Sequence, residues 1–527
     1  MDLPSVGSLR SGPNGTIELF REDTVLVRER SRDLFWEPGS AAEPKGILGE
    51  VPDRLVPLTG ALDIEAGGFR VIWVDLWIPV DTVAGHHQGM LVVRSPGTCE
   101  AGCEIEVKLE VLDLSMPDVV RSKTMLWFSA GEPEPEYVDN RYFEDPSSES
   151  EQTKRALRLR HYHLARKHRI TLFWEYHTPD SPELDSLLSG EAFSAGAGYP
   201  GPGQGLGQDI LVVRSYTGTI DAKLAATWNE FSKRYPKLLD TFVYTMDEPP
   251  KSEYAEVNRR AAASRPHIST FVTAYSEELD VEIFAVPSGV YSRVDARRVQ
   301  ETGRKMWVYN GSRPFSGSFA IDDVAISTRV NPWIQYKADI ERWFYWDSTY
   351  YYDFQGERGA IDIGREAGNF SNKDGDLLNG DGLLMYPGRD LLFPDSDLGL
   401  DGPVASIRLK NWRRGIEDVE YLVMARAAGF DREVDALLET LLPRTLNETS
   451  ESSAVSWPED GRRWQLARRY LFELLRDGES SIVLSDIARP KSADRPEERM
   501  KLYIFALGAL FALLAAFLYQ YYRRVRG

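Results

Sequence analysis

From about residue 150 onward the sequence alternates between two rhythms, and this alternation restricts the fold more than any other feature. SEQTKRALRLRHYHLARKH has helical spacing and is followed by the apolar run RITLFWEY. AKLAATWNEFSKRY is followed by TFVYTM, and SEYAEVNRRAAAS by ISTFVTA. Then come VEIFAV, a helix around ARRVQETG, KMWVYN, and a helix near PWIQYKADIE leading into RWFYWDS. GLLMYPG and the long VASIRLKNWRRGIEDVEYLVMARAAG close the series. Helices alternating with short buried strands predict a parallel sheet. Seven or so strand candidates over about 280 residues favour a (β/α)8 TIM-like barrel, placed at 151–430, over a doubly wound sheet. No GxGxxG follows a strand and no GKS or GKT is present, so nucleotide binding has no motif behind it.

The flanks read differently. TIELF, VLVRE, FRVIWVDLWIPV, GMLVV and CEIEVKLEVLDL are alternating or β-branched runs with no helical segment between them. They predict an antiparallel β-sandwich over 1–130, incomplete at its N-terminus because residues 1–14 hold Gly, Pro and Ser and cannot supply strands. The proline- and acid-rich 131–150 reads as a linker, 431–476 as further helices and 477–500 as a polar tether. Leu502 to Tyr519 is uncharged and almost wholly apolar. At 1.5 Å per residue it reaches about 27 Å, close to the hydrocarbon thickness of a bilayer. With tyrosines at both ends and Arg523, Arg524 and Arg526 beyond, 501–522 is expected to be a single transmembrane helix. The expected localisation is membrane-anchored, with the globular part outside the cytoplasm. No apolar leader follows Met1, so either the chain is tail-anchored facing the cytoplasm or its true N-terminus is missing; the unfinished sandwich favours the second, with Met1 an internal start and a secretion signal and further strands upstream.

Acids outnumber bases to a net charge of −19. A chain so acidic repels phosphate backbones, and nucleic acid is not an expected partner. The two cysteines, Cys99 and Cys103, are four apart. They are either two loop thiols or a small disulfide formed in an oxidising compartment. Zinc needs more ligands than they offer. His161, His163, His168 and His177 lack an HExxH pattern, and SNKDGDLLNGDG breaks the EF-hand register. Neither a metal nor another cofactor is expected.

The sharpest chemical signal is Thr245-Met246-Asp247-Glu248-Pro249-Pro250, two carboxylates at the end of an apolar strand. At the C-terminal end of a barrel strand, acids point toward the mouth where such enzymes keep their sites. Neighbours within a regular strand face opposite ways, so Asp247 and Glu248 can act together only where the pleat breaks. Tyr309 and Asn310 end the strand KMWVYN. In RWFYWDS, Trp343 and Tyr345 share one face and Trp346 takes the other. Tyr386 ends GLLMYP, Asp381 precedes it, and His177 follows a strand; all are candidate binding residues. The glycine-rich GEAFSAGAGYPGPGQGLGQ is expected at the C-terminal face. Glu417 and Asp418 read as cap or salt-bridge residues, on one helix with Arg408.

The runs GDGLLMYPG (380–388) and GPVASIRLKNWRRGIEDVEYL (402–422) strongly resemble the catalytic region of glycoside hydrolase family 123 and the related DUF4091 domain. WVYNGSRP (307–314), the Asp-Glu-Pro triplet, VIWVDLWIPVDTVAGHHQGMLVV (71–93) and VKLEVLDLSMPD (107–118) match the same pattern, so the resemblance covers roughly 15–430. It implies a retaining hydrolase removing β-linked N-acetylhexosamine, N-acetylgalactosamine first, from a glycan substrate. It also implies substrate-assisted catalysis, an exception to the usual pair of opposed carboxylates. Asp247 would orient the 2-acetamido group, and Glu248 would serve as acid and then base. Two alternatives stay open: a non-enzymatic, membrane-anchored glycan-binding or scaffold protein on the same fold, or a glycosidase for a different sugar.

Overall fold

The computed structural model describes residues 17–488, apart from 34–35, 37–38, 45, 66, 96–98, 131–137, 175–176, 217, 354–357, 368–369 and 373–374. Its centre is an eight-stranded parallel sheet: β6 (Lys123–Trp127), β7 (Leu172–Phe173), β8 (Ile210–Arg214), β9 (Asp240–Met246), β10 (Ser269–Val272), β11 (Ile283–Pro287), β12 (Lys305–Tyr309) and β13 (Arg342–Tyr345). The order is β7-β6-β13-β12-β11-β10-β9-β8, so the chain runs round a barrel whose seam lies between β7 and β8. Pairing of β13 with β6 joins the last strand to the first.

Strand alternation sorts the side chains into two cores. Met125, Phe242, Tyr244, Phe271, Trp307, Tyr309 and Phe344 fill the interior. The opposite faces, Trp343 and Tyr345 among them, pack under the helices. Those helices include α1 (Asp139–Tyr142), α2 (Glu151–Lys167), α3 (Pro182–Ser189), α4 (Ala222–Ser232), α5 (Tyr254–Ser264), α6 (Arg293–Glu301), α7 (Ser327–Lys337) and α8 (Ile407–Ala427), with α9 (Asp431–Leu441) and α10 (Gly461–Asp477) added outside. Helix α8 starts where the Ser406 hydroxyl accepts from the Leu409 amide at 3.0 Å, a side-chain cap for an otherwise unpaired donor. Gly415 lets α7 come close: a β-carbon there would lie 2.3 Å from the Arg329 carbonyl oxygen.

Several expectations require correction. The barrel begins at Lys123, inside the segment assigned to the sandwich, because KTMLW is buried at its centre and pairs in parallel with both neighbours. No sandwich forms among the described residues. Instead β1 (Ile17–Val27), β2 (Gly49–Pro57) and β3 (Ile72–Leu76) make a sheet ordered β2-β1-β3, and β4 (Gly85–Ser95) pairs with β5 (Cys99–Val111) as a separate hairpin. The reason is where their apolar faces go. Val25, Val27 and Val51 join the core of the barrel's outer layer, whereas no residue of β3, β4 or β5 is buried.

The expected transmembrane helix is likewise not part of this architecture. Among the described residues no helix is long and apolar enough to cross a membrane. The segment 501–522 lies outside the described residues. The longest described helix, α8, carries Arg408, Lys410, Arg413, Arg414, Glu417 and Asp418.

The glycine-rich loop lies at the opposite end of the barrel from the one expected. Helix α3 intervenes, with Ser181 as N-cap and Pro182 in its first turn, and carries the chain back to the N-terminal side. Pro202, Leu206 and Gly207 therefore face Lys123 and Thr171 at strand beginnings. Cys99 and Cys103 are joined as a disulfide at the start of β5.

Candidate active site

A cavity of about 550 Å³ opens at the C-terminal ends of the barrel strands. Tyr244, Tyr309 and Phe344, from the interior of β9, β12 and β13, contribute to its lining. Asp247 and Glu248 both line it, directly after β9. The backbone explains how neighbours share one cavity. Glu248 has φ +41°, in the left-handed region, so the extended alternation ends there. Tyr216 (φ +40°) and Asn310 (φ +54°) stand at the same mouth. Such conformations cost on the order of 1–3 kcal/mol each in non-glycine residues and cluster at functional sites.

Neutral donors hold the two acids. The Tyr244 hydroxyl donates to Asp247 Oδ1, and the Thr273 hydroxyl donates to the same oxygen at 2.8 Å. Thr273 Oγ1 also accepts the Glu248 amide at 2.6 Å, so one side chain at the end of β10 braces both acids. The Tyr309 hydroxyl donates to Glu248 Oε1. Burial, followed by the nearby Asp247 carboxylate, raises the Glu248 pKa above the ordinary range, against the Tyr309 hydrogen bond, which lowers it. An upward shift is the direction a general acid needs.

The opposite wall comes from a long excursion after β13. The Trp346 indole donates to Asp381 Oδ2 at 2.8 Å, and the Tyr345 hydroxyl to Asp381 Oδ1 at 2.8 Å. Burial pushes the Asp381 carboxyl up. Gly382, at φ +74°, keeps the room that Trp346 needs, since a β-carbon there would lie 2.6 Å from the indole. Phe370 stands edge-on to Trp346 with ring centres 5.4 Å apart. Asn310 turns its amide oxygen to the Trp346 backbone amide at 3.3 Å.

Of the residues singled out from sequence, the cavity gathers Asp247, Glu248, Tyr309, Asn310, Trp346 and Asp381. Trp343 is not among them. It faces the outer core, and its indole donates to the Asn310 carbonyl at 2.6 Å. Tyr386 is fully buried, its hydroxyl donates to Asp53 at 2.7 Å, and it is not part of the cavity lining; the strand it ends, Met385–Tyr386, pairs with Val404–Ala405. His177 packs against the edge of Trp174 at 4.8 Å. Burial, with Arg158 and Arg155 adding to it, pushes its pKa down to about 3.

Sequence reasoning missed Tyr216, Tyr244, Thr273, Asp33, Asp376 and Phe370, which also line the cavity. Tyr244 and Thr273 carried a usable signal, an inward or terminal polar residue on a barrel strand. Asp33 and Asp376 carried none, since they arrive from distant loops.

A barrel with paired acids at a strand's C-terminal end defines an enzyme class that works on substrates at the barrel mouth. Comparison with known proteins narrows this. Residues 223–425 match the family model for the glycoside hydrolase 123 catalytic domain, the family that the motifs resemble. A solved family 123 glycoside hydrolase from Clostridium perfringens, studied for glycolipid glycan hydrolysis, is similar in fold. The TM-score is 0.52 at 15% identity, over 81% of this chain and 79% of that one. No curated protein sequence matches.

Proposed function

We propose that this protein is a retaining exo-glycosidase for β-linked N-acetylhexosamine, N-acetylgalactosamine first, and that it works by substrate-assisted catalysis. One observation carries the reading: consecutive acids, Asp247 and Glu248, share one cavity because the backbone leaves the extended form between them. Adjacent acids suit a division of labour better than the opposed placement of an ordinary pair, which must flank the glycosidic bond about 5 Å apart.

Glu248 protonates the leaving oxygen. The substrate's own acetamido oxygen attacks the anomeric carbon, and the bond to the leaving group breaks. Asp247, steadied by Tyr244 and Thr273, hydrogen-bonds the acetamido N–H and supports the positive charge that develops on the oxazolinium-like intermediate. Glu248, now ionised, takes a proton from water as that water opens the intermediate, and the anomeric configuration is retained. Its hydroxyl-braced setting and its raised pKa support both of its roles.

The test is turnover of 4-nitrophenyl N-acetyl-β-galactosaminide. Glu248→Gln is expected to lower kcat by about 10³-fold or more, within the range of a lost general acid and base. Full activity in that variant would refute the assignment.

A further inference from the structure

A second cavity, of about 400 Å³, lies at the other end of the barrel, among the strand beginnings. That volume is ordinary for a small-molecule site. Val120, Ile170, Leu206 and Leu239 give it an apolar lining, and Lys123, Arg166, Arg169 and Lys237 bring four cations to it. Arg166 is the unusual one. It stands in the last turn of α2, with its guanidinium over the Phe193 ring at 4.1 Å. Its Nε is buried and, among the described residues, has no hydrogen-bond partner. Arg141, Arg313, Arg329 and Arg408, in contrast, each hold an acid at 2.7–2.8 Å.

The two acids in the cavity lining are engaged elsewhere. Both oxygens of Asp209 accept Arg342, at 3.0 and 3.2 Å. Asp118 Oδ1 accepts the Gly203 amide at 2.8 Å. Asp209 therefore acts on Arg166 only as a charge at a distance, and burial pushes the Arg166 pKa down against the pull of Tyr199 and Asp209. Burial also pushes down Lys123, the first residue of β6. Arg169 is already engaged, donating to the Pro117 carbonyl at 2.7 Å and facing Glu417 at 3.7 Å. A buried guanidinium donor without a partner is costly and calls for an explanation. Its fork matches the paired oxygens of a carboxylate or phosphate.

We propose that this rear cavity binds a small amphiphilic anion, an apolar body carrying one carboxylate or phosphate head, with the head on Arg166 and Lys123 and the body against Val120, Ile170 and Leu206. The site is separate from the barrel mouth and does not depend on the glycosidase reading.

The test is binding of three probes to the full chain, followed by ligand-observed NMR: 4-phenylbutanoate, 3-phenylpropyl phosphate and the neutral 4-phenylbutanamide. At least one anion is expected to bind about 10-fold or more tightly than the amide, the scale of one charge-assisted hydrogen bond. Arg166→Gln should remove that advantage and Lys123→Gln should reduce it, with the amide's affinity and the melting temperature nearly unchanged. Arg166→Lys keeps the charge without the fork and guards against a folding defect in the first variant; it should weaken the anions and spare the amide. Binding of only one anion would sustain the site and identify its head group. Equal affinity for anions and amide, anion binding unmoved by both Arg166 substitutions, or no binding of any probe at millimolar concentration overturns the proposal.

Discussion

Two regions of this protein gather carboxylates, and they treat them in opposite ways. Behind the barrel, where α8 meets α7, α10 and the β1–β3 sheet, Asp418, Asp53 and Asp75 each meet cations. Asp418 accepts Arg329 Nε at 2.7 Å and also pairs with Arg468. Burial alone would raise its pKa, but the two guanidinium groups hold it below the ordinary range. Asp53 accepts Arg408 at 2.8 Å and Tyr386 at 2.7 Å. Asp75 pairs with Lys410 and with Arg413, the latter at 2.9 Å. At the barrel mouth, Asp247 and Glu248 sit side by side and are held by hydroxyls. A compensated charge fixes architecture, because removing one partner leaves the other stranded. Like charges held together by neutral donors keep a pKa available for chemistry, which is why such clusters mark functional sites.

Substitutions in the two regions should therefore fail in different currencies. The largest effect is expected at the mouth. Asp247→Asn should lower kcat on the aryl N-acetylgalactosaminide by about 10²–10³-fold, the range for losing one electrostatic stabiliser, with the melting temperature nearly unchanged. Behind the barrel, Asp418→Ala strands Arg329 and should cost about 3–5 kcal/mol of stability. Denaturant unfolding would measure this, and turnover per folded molecule should stay near wild type. A collapse of turnover in that folded variant would break the contrast.

Tyr309→Phe should have a smaller effect that is diagnostic in pH. The Tyr309 hydrogen bond favours ionised Glu248. Its loss raises that pKa further, so the alkaline limb of kcat/KM, where the acid loses its proton, should move to higher pH. A limb that stays put would mean Glu248 is not the titrating acid. The smallest effect is on stability. A carboxyl whose pKa is raised in the folded state opposes folding above that pKa, and the penalty disappears as pH falls through it. Glu248→Gln should thus be slightly more stable than wild type at neutral pH, with the gain fading toward acid.

How much of this was legible in the sequence depended on whether the relevant partner was local. The helix-strand alternation was enough for the barrel, and the strand TFVYTM with two acids and two prolines after it was enough for the catalytic candidates. The pleat rule correctly put Trp343 and Tyr345 on one face, but which face lies inward is decided by the interior packing of Tyr309 and Phe344. Overlooking the Ser181-capped α3 reversed the end of the barrel given to the glycine-rich loop. Tyr386 looked like a mouth residue because it ends an apolar run, yet its partner, Asp53, lies 333 residues away in sequence. The segment 402–422, which carried much of the family resemblance, includes the ion-paired residues Arg408, Lys410, Arg413 and Asp418 behind the barrel and lines none of the cavity. A motif can carry a family resemblance through its architecture while the proposed chemistry sits elsewhere.

The central claim is that the substrate's acetamido group is the nucleophile and the Asp247–Glu248 pair serves it. The most direct measurement compares two inhibitors of the same glycosidase activity: a thiazoline mimic of the oxazolinium-like intermediate and a galactose-like inhibitor without the fused ring. Intermediate mimics gain on the order of 10² or more in affinity over ground-state analogues. The account predicts at least that preference for the thiazoline, with the preference lost in Asp247→Asn. Equal inhibition of the wild-type enzyme by the two compounds would contradict it.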